Sequence, residues 1–165
     1  MTTAGDTLKR SEDYCRHVLR QASTSFALPF RTLPRRKRLA FEVIYAFMRL
    51  VDDASDDGDA SGRDARLAEW RRLLHAAMSG SIDEHAILPA LAAIITEFSL
   101  PMNWLDELID GTEMDLVVHH YPTFKDLELY CHRVAGVVGL VSLKIFGIVN
   151  PTPERWHIAE QLAEQ

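Results

Sequence analysis

The segment from Pro34 to Asp56 constrains the fold most strongly, because its apolar residues recur at helical spacing almost all the way round. On a helix wheel of about 100° per residue, a narrow stripe of polar and aromatic residues remains beside this apolar surface. That stripe consists of Phe41, Tyr45, Arg49, Asp52 and Asp56. A surface helix normally carries a broad polar face, so this helix is predicted to be buried. Because unpaired buried charge is costly, the stripe must line a cavity or find partners.

The rest of the chain also shows helical periodicity, with no alternating pattern of the kind that predicts strands. Proline, glycine and capping residues divide it into further helices. We predict these at Ser11–Gln21, Arg63–Met78, His85–Phe98, Met102–His120 and Thr123–Phe146, with a last one beginning at Pro153. The predicted fold class is therefore all-α, arranged as a single helical domain over residues 1–165.

Composition excludes several classes of protein. Hydrophobic residues make up 47% and charged residues 25% of the chain, which is typical of a globular protein rather than a disordered one. The net charge of -6 argues against a dedicated nucleic-acid binder. Two distant cysteines, no apolar leader and no apolar run near the roughly 18 residues of a membrane span favour the cytoplasm. The basic run Arg35–Arg38 leaves open a peripheral contact with acidic lipids.

Four aspartates, Asp52, Asp53, Asp56 and Asp57, crowd the end of the Pro34–Asp56 helix. There the helix dipole disfavours anions by about 0.3–1 kcal/mol each, and like charges one turn apart repel. A Mg²⁺ ion held between two carboxylates and substrate phosphates would offset both effects. The alternative is a solvated turn in which Arg49 pairs with a neighbouring aspartate. Because Tyr45 shares the stripe, the cavity interpretation is favoured.

Four segments, in order along the chain, resemble signatures of the squalene and phytoene synthase family. Ile44–Asp56 resembles its first aspartate-rich motif, and Ser23–Phe26 its serine-rich diphosphate-binding segment. Leu108–Leu116 resembles its acidic helix, and Tyr130–Gly139 its Tyr-Cys…Val-Ala-Gly…Val-Gly motif. Each motif alone is weak evidence, but together they are specific. The pattern between residues 109 and 146 favours the bacterial squalene or presqualene diphosphate synthase type.

The resemblance implies an isoprenoid-synthase-type helical bundle around a central cavity, incomplete at its C-terminus. It also implies a prenyltransferase that condenses two farnesyl or geranylgeranyl diphosphates head to head. The product would be presqualene diphosphate and then squalene, or phytoene, and only squalene would require NADPH. Mg²⁺, or Mn²⁺ in its place, would assist ionisation of the allylic diphosphate.

The resemblance further implies roles for residues of the aspartate-rich helix. Asp52 and Asp56 would hold the metal, with Asp53 in support. Arg49 would supply a cationic fork to the diphosphate. Tyr45 would face the cavity, where its ring can stabilise a passing carbocation.

Residues of the other motifs complete the implied site. Ser23 and Ser25 would donate hydroxyl hydrogen bonds to phosphate, with Phe26 beside them. Tyr130 would face the cavity as a carbocation stabiliser and proton relay. Further substrate contacts are predicted at Asp110, Asp115, Ala135, Val138 and Gly139. For the glycines, tight helix packing without a ligand is the alternative.

The family's second metal motif, of Asn-x-x-x-Asp type, does not occur in this sequence, since neither Asn103 nor Asn150 begins such a pattern. A head-to-head coupling enzyme holds its diphosphates between two facing carboxylate motifs. We therefore expect little activity from this chain alone. The alternative function is a prenyl-diphosphate-binding half that needs a second chain to complete its site.

Overall fold

The structure, a computed structural model, describes residues 3–22, 25, 27–56, 62–117 and 120–163. All regular elements within these ranges are helical, which confirms the predicted all-α class. The elements in chain order are α1 (Ala4–Gln21), α2 (Ala27–Phe30), α3 (Arg35–Asp56), α4 (Arg63–Met78), α5 (Leu88–Phe98), α6 (Met102–Val117), α7 (Phe124–Cys131), a π-helical turn (His132–Gly136), α8 (Val137–Phe146) and α9 (Pro153–Ala163).

Helix boundaries follow the sequence signals closely where a cap or a glycine marks them. The limits of α4 agree with the prediction, and α3 begins one residue later than predicted. The largest difference is α1, which begins at Ala4 because a capping box precedes it. Thr3 Oγ1 accepts from the Asp6 amide at 3.2 Å, and Asp6 Oδ2 accepts from the Thr3 amide at 3.3 Å. Apolar periodicity does not detect this polar first turn, nor the short helix α2.

The chain forms two compact units, Met1–Ser99 and Leu100–Gln165. The single-domain organisation expected from chain length stays a prediction.

In the N-terminal unit, α3 packs against α1, α4 and α5. Its apolar side chains form much of the core, as predicted for a helix with so narrow a polar stripe. Phe47 is fully buried and meets the Trp70 ring edge-to-face at 6.1 Å between centroids. The carboxylate of Glu42 is also buried, and Arg16 Nε donates to it at 3.3 Å. This pair joins α1 to α3 and satisfies a charge that would otherwise be costly.

In the C-terminal unit, α6 packs against the π-helical turn and α8, and α9 packs against α8. Lys144 holds α9 through its ammonium, which lies 4.6 Å from the ring centroid of Trp156 and 5.9 Å from that of Trp104. Gly139 allows the close approach of α9, since a Cβ there would lie 3.2 Å from the carbonyl carbon of Ala163. The Phe146 end of α8 is followed by Gly147 at φ 67°, a backbone conformation that favours glycine.

The helix predicted at Thr123–Phe146 runs continuously from Phe124 to Phe146. Its 23 residues have a mean hydropathy of 1.4 in the most apolar window, so by length and composition it could cross a membrane. A count of uninterrupted apolar residues does not single it out, because charged residues such as Arg133 and Lys144, and the two glycines Gly136 and Gly139, interrupt the run. Core helices of soluble proteins pass the same test.

Candidate functional site

The last two turns of α3 present the carboxylates predicted to bind metal. Asp52 and Asp56 are both exposed and lie one helical turn apart. Tyr45, two turns before Asp52, is half-buried and lies edge-on to Phe30 of α2, with 6.5 Å between ring centroids. The polar stripe therefore passes from a packed aromatic end to a solvent-open acidic end. Asp57 lies outside the residues that the structure describes.

Arg49 forms an ion pair with Asp53, with 2.6 Å between Nη2 and Oδ1. Both side chains are close to half exposed, at 45% and 43%. The sequence analysis left two roles open for Arg49. It could form an ion pair with a neighbouring aspartate, or it could bind the diphosphate. The structure shows the first role at Asp53, one turn along the same helix. Asp53 is thus paired with a cation of its own helix, and its supporting role at a metal stays a prediction.

Two arginines of α4 cap the end of α3, and sequence reasoning missed both. Arg63 Nε donates to the carbonyl of Ser55 at 2.8 Å, and Arg66 Nε donates to the carbonyl of Ala54 at 2.7 Å. These carbonyls are the groups that a helix leaves unpaired at its C-terminus. The two cations also lie where they offset the negative end of the helix dipole beneath the acidic cluster. The sequence did contain a signal for them. Two arginines occupy the first turn of α4, where the helix dipole disfavours cations, which indicates that they have partners outside their own helix.

A cleft of about 330 Å³ opens between α1 and α3 in the N-terminal unit. Arg49 and Asp53 form part of its wall. The remaining lining residues are Tyr14, His17, Val18, Gln21, Ala22 and Leu50. The cleft mixes apolar side chains with hydrogen-bonding groups, and Ala22 on its wall is the residue before the serine-rich segment in sequence.

The serine-rich segment is described only in part. Ser25 is an exposed residue in a turn. Ser23 and Phe26 lie outside the described residues, so their predicted contacts with diphosphate stay predictions. Ala22, the residue before the segment, donates its amide to the carbonyl of Val18 and ends α1.

The carboxylates of α3 can be compared with what Mg²⁺ requires. Among the described residues there is no group of three or more potential metal ligands. Mg²⁺ is ordinarily held by one or two carboxylates together with water and substrate phosphates, not by a cage of protein ligands. Asp52 and Asp56, exposed and one turn apart, fit that donor set. They do not fit a structural Ca²⁺ or Zn²⁺ site, which needs more protein ligands.

In the C-terminal unit, Tyr130 and Asp115 form a second polar centre. The Tyr130 hydroxyl donates to Asp115 Oδ1 at 2.5 Å, and the Tyr121 ring lies against the Tyr130 ring at 5.1 Å between centroids. The hydrogen bond to Asp115, followed by burial, raises the pKa of Tyr130 to about 12. The phenol is therefore protonated at neutral pH, and it can donate a proton or a hydrogen bond but not act as a base. Tyr121 was not expected from the sequence.

Asp110, also predicted to contact substrate, pairs with Arg133. Arg133 Nη2 lies 3.2 Å from Asp110 Oδ2, and Arg133 Nη1 donates to Met114 Sδ at 3.2 Å. Gly111 lies directly below this contact, and a Cβ there would be 3.1 Å from Val134 Cγ1. Sequence reasoning missed Arg133. Its signal was a charged residue directly before the apolar and small residues Val134–Gly139 of the motif.

The three remaining predicted substrate residues follow one another on the helix containing the π-helical turn. Ala135 is exposed, whereas Val138 and Gly139 are half-buried. At Gly139 the structure shows helix packing, because Ala163 of α9 occupies the space that a side chain would fill. Contacts of these residues with a substrate stay predictions.

Comparison with known proteins identifies the family. The squalene/phytoene synthase family model matches residues 19–164. Phytoene synthase of Arthrospira platensis is 36% identical over 148 residues, covering 86% of this chain and 47% of the relative. Presqualene diphosphate synthase of Sinorhizobium fredii is 35% identical over 137 residues, covering 82% of this chain and 48% of the relative. The chain thus spans about half the length of these curated relatives.

Solved structures agree on the fold. Squalene synthase HpnC from Alicyclobacillus acidocaldarius superposes with a TM-score of 0.80 at 30% identity, covering 98% of this chain and 62% of that one. A dehydrosqualene synthase superposes with a TM-score of 0.78 at 28% identity, covering 98% of this chain and 56% of that one. Relatives of both the squalene and the phytoene type match, so the expected bacterial squalene type stays a prediction. The chain belongs to the squalene/phytoene synthase family.

Proposed function

We propose that this chain provides the first carboxylate motif of a Mg²⁺-dependent head-to-head prenyltransferase. The substrates are two farnesyl or two geranylgeranyl diphosphates. The observation that carries the proposal is the pair Asp52 and Asp56, exposed one turn apart at the end of α3. Membership of the family supports it, as does the capping of that helix end by Arg63 and Arg66.

Asp52 and Asp56 would hold Mg²⁺, or Mn²⁺ in its place. When bound, the ion neutralises the diphosphate so that it can leave as an anion. Arg49 lies at the cleft between α1 and α3, paired with Asp53. A diphosphate carries more negative charge than a carboxylate and accepts a bidentate fork, so it would compete for the Arg49 guanidinium. Ser23 and Ser25 would add hydroxyl hydrogen bonds, with Phe26 packing beside them.

Aromatic groups would protect and stabilise the carbocation that follows departure of the diphosphate. The ring faces of Tyr45 and Tyr130 are suited to this by cation–π attraction. Tyr130 would hold its proton on the phenol oxygen, bound to Asp115 at 2.5 Å, and deliver it only to a strong base. Asp110, Asp115, Ala135, Val138 and Gly139 would border the prenyl chain. A squalene product would need a further reduction by NADPH, and a phytoene product would not.

The metal assignment is tested by binding, which can be measured without turnover. Binding of farnesyl and geranylgeranyl diphosphates would be measured by calorimetry with and without Mg²⁺. Asp52→Asn should weaken Mg²⁺-dependent binding by at least about 10-fold, the scale seen when even an indirect metal partner is lost. Asp83→Asn, an exposed acid in the turn before α5, is the matched control. Unchanged Mg²⁺-dependent binding by Asp52→Asn would sink the assignment.

A second candidate function is a binding subunit that acts with a second chain. It is favoured by large apolar side chains that the C-terminal unit leaves exposed. Phe124 is 79% exposed and Val149 83%. Ile158 and Leu162, one turn apart on α9, are 55% and 64% exposed. A polypeptide carrying the family's second carboxylate motif would cover such residues and supply the opposing metal ligands. Prenyl diphosphate binding without turnover, converted to turnover by such a polypeptide, would distinguish this function from a self-sufficient enzyme.

We further propose a cytoplasmic location with peripheral membrane contact. The long apolar helix Phe124–Phe146 and the basic run Arg35–Arg38 support it. Arg36 is exposed but pairs with Glu97 at 2.7 Å, so lipid headgroups would have to compete with an acid. Sedimentation with anionic vesicles should exceed that with zwitterionic vesicles. Equal and negligible sedimentation with both would refute membrane contact.

A further inference from the structure

The helix that carries Tyr130 changes its winding directly after that residue. Residues His132–Gly136 form a π-helical turn between α7 and α8. Such turns are uncommon, and they insert about one residue into the register of the helix. The turn coincides with the Arg133-Val134-Ala135-Gly136 part of the sequence motif.

The turn decides which way Tyr130 faces. In an uninterrupted α-helix at about 100° per residue, residues seven apart lie on nearly the same side. Tyr130 would then lie above Val137 and Val141, which are 0% and 2% exposed in the core. The extra residue of the π-helical turn rotates α7 away from that register by about 100°. Tyr130 instead lies half-buried beside Asp115, and α7 contributes no fully buried residue.

One face of α6 holds this turn in place. Residues Glu107, Asp110, Gly111, Met114 and Asp115 follow one another along it at helical spacing. His132 Nε2 lies 3.0 Å from Glu107 Oε2, and the Arg133 contacts with Asp110 and Met114 follow one turn later.

Arg133 is central to these contacts. Its guanidinium reaches Asp110 and Met114, while its Nε is buried with no hydrogen-bond partner in the described part of the chain. Below it, Gly111 lets the backbone of the turn approach α6, since a Cβ there would lie 3.3 Å from the Arg133 carbonyl carbon. Such a pair adds little net stability, but removing one partner is costly because it leaves the other charge partly buried and uncompensated.

We propose that Arg133 is a positioning residue, which through its ion pair with Asp110 clamps the π-helical turn onto α6 at Gly111 and so sets the Tyr130–Asp115 hydrogen bond. The catalytic relevance of this positioning rests on the proposed function, because Tyr130 takes part in catalysis only if a carbocation forms beside it. The positioning itself does not depend on that function and can be measured without turnover.

The test is the ionisation of Tyr130 at pH 10.5, followed by NMR of chain labelled with ¹³C at tyrosine Cζ. An ordinary tyrosine is about three-quarters ionised there. Tyr130 in the native chain should remain protonated, and Asp115→Asn should ionise it. Arg133→Met keeps the apolar stem but removes the ion pair, and it should also ionise Tyr130. Loss of a nearby cation by itself would raise the pKa of Tyr130 and so favour the protonated phenol. Ionisation of Tyr130 in Arg133→Met would therefore show that the hydrogen bond to Asp115 had been lost.

Three further variants complete the test. Arg133→Lys retains a cation for Asp110 and should keep Tyr130 protonated. Arg155→Met removes an exposed cation elsewhere in the same unit and should change nothing. If Arg133→Met does not fold, Gly111→Ala decides, since it pushes the turn from α6 without altering any charge.

Tyr130 that stays protonated in Arg133→Met, or in Gly111→Ala where that variant must decide, overturns the proposal. If Arg133→Met ionises Tyr130 while the native chain fails to bind prenyl diphosphates with Mg²⁺, the positioning role stands and the proposed function fails.

Discussion

Arg49 and Asp53 form an ion pair across one turn of α3, with 2.6 Å between Nη2 and Oδ1. The pair engages one aspartate of the acidic cluster at the end of α3. Asp53 is bound to a cation of its own helix, whereas Asp52 and Asp56 lie exposed on the stripe proposed to hold metal. Neighbouring aspartates of similar sequence context are thus distinguished by where their side chains lie.

This division predicts unequal effects of equivalent substitutions. Asp56→Asn should weaken Mg²⁺-dependent diphosphate binding by at least about 10-fold, because it removes a proposed metal ligand. Asp53→Asn should change that binding by less than about 3-fold, and should cost no more than about 0.5 kcal/mol of stability as an exposed pair on one helix. Calorimetric titration of both variants measures the difference. Equal losses would show that Asp53 is itself a metal ligand.

The two cysteines should react at very different rates. Cys15 is fully buried, and burial raises its pKa to about 12, so its thiolate is scarce and shielded. Cys131 is exposed on α7. A disulfide reagent at pH 8 should therefore modify one thiol quickly in the folded chain and the second only on unfolding. Cys131→Ser should abolish the fast phase and Cys15→Ser should preserve it; the reverse pattern would contradict the packing of α1.

Stability should fall in mild acid because of His85. Burial lowers the pKa of His85 from its ordinary 6.5, between the rings of Trp70 at 4.9 Å and Tyr14 at 5.8 Å. The unfolded chain therefore binds the proton more readily than the folded one. The contribution of neutral His85 is complete above about pH 6.5 and is lost as pH falls through its lower folded value.

Urea unfolding from pH 7.5 to pH 5 measures this effect. His85→Gln should flatten the decline in the free energy of unfolding over that range. His157→Gln, at an exposed histidine on α9, serves as the comparison and should leave the decline unchanged. An identical decline in the native chain and His85→Gln would refute the assignment.

Two phenylalanines of equal size should differ greatly in their contribution to stability. Phe47 is 0% exposed, so Phe47→Ala removes a buried ring and leaves a cavity, costing about 3–5 kcal/mol. Phe124 is 79% exposed, so Phe124→Ala should change stability by no more than about 0.5 kcal/mol. Chemical denaturation of each variant measures both values. A cost above 2 kcal/mol at Phe124, which is well beyond a surface effect, would reveal that a partner already covers it.

Several features of the fold were predictable because they depend on neighbours along the chain. The limits of α4 follow from local caps and periodicity, and the all-α class follows from the absence of alternating patterns. The first turn of α1 was missed because its Thr3–Asp6 capping box is polar. The helix Phe124–Phe146 was predicted, but its length and hydropathy were not recognised as sufficient for a membrane span, because a count of apolar runs stops at Lys144 and the glycines.

The candidate site was predictable to a lesser extent. The spacing of Asp52 and Asp56 places them on one side of α3, whatever the rest of the chain does. The partner of Arg49 was left open, because Asp52 and Asp53 are both within reach of it on a helix. Arg63, Arg66 and Tyr121 were not expected, because their partners are carbonyls or rings that lie elsewhere in sequence.

The sequence by itself therefore determined most of the long helices and the acidic stripe, since both arise from residues three or four apart on one helix. Only the tertiary structure decided that Arg49 pairs with Asp53, that Arg133 pairs with Asp110, and that a π-helical turn follows Tyr130. Those outcomes depend on which rotamer and which register cost least once helices have packed. That balance is set by contacts between segments distant in sequence, and no local pattern records it.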